Sequence, residues 1–65
     1  MQPGDLRIFN DFTISGNGRW FFPGTSVLLV ERVEAVLEPK WKILVDGNQE
    51  VVDEYTIEHR SHEVR

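Results

Sequence analysis

The chain predicts an all-β fold of five short strands rolled into a small barrel, on three observations. Residues Lys40 to Tyr55, KWKILVDGNQEVVDEY, read as a β-hairpin turning at Asp46-Gly47-Asn48, because Asp-Gly accepts the positive φ angles of a tight hairpin. Trp41, Ile43 and Val45 alternate with Lys40, Lys42 and Leu44, and Leu6 and Ile8 alternate with Arg7 and Phe9, the period of two that puts one row on each face of a strand. Four of the twelve residues from Ser26 to Leu37 are valine, which favours strand.

The elements follow in order. Met1 to Asp5 is a lead-in with a Pro3-Gly4 turn signal, and Asp5 to Phe9 is the first strand. Asn10 to Gly24 is a long irregular connection whose Ser15-Gly16-Asn17-Gly18 stretch is turn chemistry. It ends in Trp20-Phe21-Phe22-Pro23, and three consecutive aromatics in an extended segment cannot all point inward. A strand from Ser26 to Arg32 then passes into a turn or bent continuation through Glu38-Pro39. Leu29, Val33, Val36 and Leu37 also fall at helical spacing, so a helix is the alternative for 26–38. After the hairpin strands, ending with Gln49 to Asp53, a short turn at Glu54-Tyr55-Thr56 leads to a terminal strand Ile57 to Arg60. Ser61 to Arg65 reads as a solvated tail.

Sixty-five residues make a single domain near the lower limit for independent folding, where only about 60% of the unfolded surface is buried. With no cysteine, neither a disulfide nor a thiolate metal site supplements the core. No run approaches the roughly 20 apolar residues of a membrane span, and Met1 is followed by Gln-Pro-Gly-Asp rather than a signal segment. A soluble protein of the cytoplasm or of a particle is the expectation, with no membrane partner. The net charge of −4 and seven scattered Lys and Arg residues argue against nucleic acid and are read as a solubility device.

These strands, one long first loop and a hairpin describe a small SH3-like barrel. The runs Pro3-Gly4-Asp5-Leu6-Arg7-Ile8, Phe22-Pro23-Gly24-Thr25 with Leu28-Leu29-Val30-Glu31, Ile43-Leu44-Val45-Asp46-Gly47 and Val51-Val52-Asp53-Glu54 resemble the small SH3-like proteins encoded by tailed bacteriophages. The resemblance spans roughly residues 3–58. It implies a fold and a phage setting, in the host cytoplasm or the virion, and no single activity. A weaker resemblance is to proline-binding SH3 domains. Phe9-Asn10-Asp11-Phe12, Trp41 and Tyr55 stand where that family has its aromatic and acidic motif, its groove tryptophan and a tyrosine. That resemblance implies an aromatic trough of Phe9, Phe12, Trp41 and Tyr55 for a polyproline helix. The chain departs from it in lacking an acidic cluster in the long loop and a proline before Tyr55.

No catalytic or cofactor pattern emerges. His59 and His62 lie near the terminus at a spacing that splits them between the two faces of a strand. Asp46-Gly47-Asn48-Gln49-Glu50 starts like a calcium loop but has Val51 where glycine is needed. Gly16-Asn17-Gly18 lacks the lysine of a phosphate loop. The candidate surface is aromatic: Phe12, Trp20, Phe21, Phe22, Trp41 and Tyr55. It points to a noncatalytic interaction or assembly module for a phage or host protein or for further copies of itself. The alternative is single-stranded nucleic acid stacked beside Arg19, Lys40 and Lys42.

Overall fold

In the computed structural model of the protein, residues 1–64 are described and form β1 (Leu6–Phe9), β2 (Thr13–Ile14), β3 (Trp20–Phe21), β4 (Ser26–Val33), β5 (Lys40–Val45), β6 (Asn48–Asp53), α1 (Glu54–Arg60) and β7 (Ser61–Glu63). The fold is all-β with one short helix. A five-stranded antiparallel sheet runs in the order β6-β5-β4-β1-β7, and β2 and β3 form a separate two-stranded ribbon. The arrangement is barrel-like but open, with β6 and β7 as the two end strands.

The central hairpin folds as its sequence dictates, with one refinement. Asp46 and Gly47 both take positive φ, 52° and 77°, the twist that joins strands through a two-residue loop. Asn48, expected in the turn, is instead the first residue of β6 and faces Val45. Trp41, Ile43 and Val45 are buried and, with Phe9, Phe21, Val27, Leu29, Val52 and Ile57, make the core. The segment from Ser26 is strand rather than helix as far as Val33, because it pairs with β1 on one side and β5 on the other. A bulge between Leu29 and Glu31 shifts its register. Beyond it, Val36 and Leu37 stand fully exposed in the β4–β5 connection.

The C-terminal elements differ from those the sequence predicts. Ile57 to Arg60, expected as the last strand, belongs to α1, and the fifth strand of the sheet is β7, within the expected tail. Residues 61–63 are held because Arg7, Ile8 and Phe9 pair with Glu63, His62 and Ser61, and the Val64 amide donates to the Leu6 carbonyl at 3.0 Å. Arg65, the end of that expected tail, lies outside the described residues. The long connection also contains structure: the β2–β3 ribbon, whose tip is tied to the sheet by the Gly16 amide donating to the Val51 carbonyl at 2.9 Å.

Deleting residues 61–65 discriminates a held strand from a tail. Loss of β7 strips β1 of one neighbour, and urea denaturation should show a drop of more than about 2 kcal/mol, a large part of a domain this size. A solvated tail would leave the transition unmoved.

Candidate interaction face

Strand alternation sorts the side chains of the β2–β3 ribbon. Thr13 and Ser15 turn inward and are buried, while Phe12 and Ile14 turn out. On the facing strand Phe21 is 3% exposed, with Trp20 at 62% and Phe22 at 66% on either side of it. Thr13 lies opposite Phe21 and Ile14 opposite Trp20, so the outward residues gather on one surface. Phe12 and Phe22 meet edge to face with centroids 5.4 Å apart, a favoured aromatic geometry. Between this ribbon and α1 runs a groove of about 280 Å³ lined by Phe12, Thr13, Ile14, Trp20, Thr56 and Arg60.

The inward residues anchor the ribbon. Phe21 stacks on Phe9 at 5.9 Å, and the Arg19 guanidinium lies 5.7 Å from the Phe21 ring centre. Arg19 also reaches Glu50 at 3.4 Å and Asp46 at 3.5 Å. Glu50 is buried on the sheet opposite Ile43, and its Oε1 has no hydrogen-bond partner among the described residues. One arginine therefore ties the ribbon to the hairpin turn and to β6.

The other wall of the groove, α1, is held at both ends. At its start, the Glu54 carboxylate accepts from the buried Trp41 indole Nε1 at 2.8 Å and from Arg32 Nε at 2.8 Å. The Arg32 bond, and after it the Trp41 bond, hold the Glu54 carboxyl below its ordinary value. Asp53 occupies the N-cap without capping the helix through its side chain. Its carboxylate pairs with Lys40, which lowers its pKa, and its nearness raises that of Glu38. At the helix end, Arg7 donates to the Ile57 and Ser61 carbonyls at 3.2 and 3.1 Å, where a cation suits the exposed carbonyls. Arg60 extends to the ribbon, donating to the Phe12 carbonyl at 3.2 Å and lying 3.6 Å from Asp11.

The expected aromatic set divides. Phe12, Trp20 and Phe22 come together on the face, and Tyr55 is exposed on α1, its ring tilted against that of His59 with centroids 4.2 Å apart. Trp41, 1% exposed, and Phe21 are core residues and offer nothing to a partner. Phe9 is buried as well, so the polyproline trough expected of Phe9, Phe12, Trp41 and Tyr55 does not form. A small core draws one of the two tryptophans, Trp41, and two of the four phenylalanines, Phe9 and Phe21, inward to complete it. Ile14, Thr56 and Arg60 were not anticipated in the groove. The alternation Phe12-Thr13-Ile14-Ser15 carried the signal for Ile14.

The Glu54 contacts have a pH signature. A carboxyl lowered on folding stabilises the folded state above its unfolded value of about 4.3, and that contribution disappears as pH falls through the lower folded value. The urea midpoint should therefore decline below about pH 5, and Glu54→Gln should lower the midpoint at pH 7 and flatten the decline. Comparison with protein-family models, with curated proteins and with solved structures finds no match to this chain.

Proposed function

We propose that the protein is a noncatalytic protein–protein interaction module that docks an apolar segment of a partner on the Phe12, Ile14, Trp20 and Phe22 face. The observation that carries this reading is the alternation of β3, which spends Phe21 on the core and holds Trp20 and Phe22 out on either side of it. Aromatics kept in place by a packed scaffold give up little side-chain entropy on binding, and they dominate the energetics of protein interfaces. The groove beside them adds apolar wall, a hydroxyl and a guanidinium, a chemistry suited to holding a chain. In the phage setting that the resemblance implies, the partner would be a virion component or a host protein.

Among the described residues, the cations speak for a protein partner over a nucleic acid. Arg19 is engaged by Glu50 and Asp46, Lys40 by Asp53, and Lys42 by Glu31 at 3.4 Å. Arg32 and Arg60 are likewise paired with carboxylates, and Arg7 is spent on the end of α1. Phosphate binding draws on free positive charge, and these pairs would have to be broken first.

Immobilised protein should retain a partner through nuclease treatment, and Trp20→Ala or Phe22→Ala should weaken that retention about tenfold or more while leaving the circular dichroism and urea transition in place. Phe21→Ala should instead unfold much of the protein, at a cost of about 3–5 kcal/mol. Unfolding by both Trp20→Ala and Phe22→Ala would overturn the reading, and loss of retention with nuclease would favour single-stranded nucleic acid.

A further inference from the structure

A second apolar row lies on the outer surface of the five-stranded sheet. Since Val27, Leu29, Ile43 and Val45 point into the core, Leu28 and Leu44 point out. Register then lines them up: Leu6 faces Leu28 and Leu28 faces Leu44, with Val64 bonded alongside Leu6. Leu6 is 49% exposed and Leu44 38%, so the row meets solvent. On the same outer surface, across the bulge, Glu31 of β4 faces Lys42 of β5, and Lys42 faces Val51 of β6. Both charged side chains are open to solvent, although they touch each other at 3.4 Å.

We propose that this sheet face is a homodimer interface, occupied by a second copy of the chain. Register and charge both favour this pairing. A two-fold axis parallel to the strands and lying over the β4–β5 boundary exchanges those two strands while keeping each residue's height along them. Leu28 of one copy then lies over Leu44 of the other, twice, and Glu31 lies over Lys42, also twice. A chain of net charge −4 repels its own copies in most orientations. This orientation sets the Glu31 carboxylate of each copy against the Lys42 ammonium of the other and Leu28 against Leu44. The proposal is independent of the aromatic face, which stays free on each subunit.

Size sets the strength of the association. A standard interface buries about 800 Å² per partner, which would be about a fifth of the 4279 Å² that this chain exposes. The roll of the sheet confines contact to the rows beside the axis, so the dimer is weak, with a dissociation constant in the micromolar range or above.

Sedimentation equilibrium of the full chain from about 1 μM to about 1 mM tests the proposal. The wild type should move from the mass of one chain to that of two. Leu44→Lys should weaken association about tenfold or more, and Glu31→Lys and Lys42→Glu each by about two- to fivefold, with the double reversal returning to near the wild-type value. Trp20→Ala should leave the dimer unchanged. Circular dichroism of each variant reports its fold, and if Leu44→Lys unfolds, the charge series decides alone. A wild type that stays at one-chain mass throughout overturns the proposal. So does a dimer abolished by Trp20→Ala, or a double reversal weaker than either single one.

Discussion

Burial of Trp41 is the constraint around which the rest of the domain is arranged. It is the largest side chain in the core, and its indole N–H cannot be left in an apolar interior without an acceptor. Glu54 supplies the acceptor, and because Glu54 opens α1, satisfying one core hydrogen bond also fixes where the helix begins. Arg32, the cross-strand neighbour of Trp41, closes the arrangement from the other side of Glu54. Three elements, β4, β5 and α1, are thus joined by one carboxylate.

That placement determines what the surface presents. With the start of α1 set by Glu54 and its end held by Arg7, Thr56 and Arg60 form one wall of a groove whose other wall is the β2–β3 ribbon. The ribbon is held by inward residues, Phe21 on Phe9 and Arg19 on Glu50, so its outward aromatics are not needed for the core. Core anchoring and the presentation of Trp20 and Phe22 therefore come from one segment of chain, divided by the pleat of a strand.

Much of this was legible in the residues. The hairpin was, because Asp46-Gly47 and the Trp41-Ile43-Val45 alternation are local signals that point to the same answer. The outward placement of part of Trp20-Phe21-Phe22 was also legible, since a strand cannot turn three successive side chains to one side. The helix was harder to see. Thr56 and Ile57 are β-branched and favour strand, and Ile57 is the single buried residue of α1, so no helical apolar period existed to be read. The signal that was present is polar: Asp53 and Glu54 at the start, His59 and Arg60 at the end. Because the helix takes up the residues expected as the last strand, that strand falls at Ser61–Glu63 instead. The burial of Trp41 and Phe21 could not be separated from exposure by sequence alone, because aromatics serve cores and interfaces equally well and only the packing of this small chain assigns them.

An open sheet ordinarily carries a risk at its end strands, whose unpaired backbone groups can template the strand of another chain. Here the Gly16 amide already occupies the Val51 carbonyl, midway along β6. An intruding strand would find its ladder interrupted at the centre and would have to displace the loop to continue. The tie therefore works as a guard against edge-to-edge aggregation as well as an anchor.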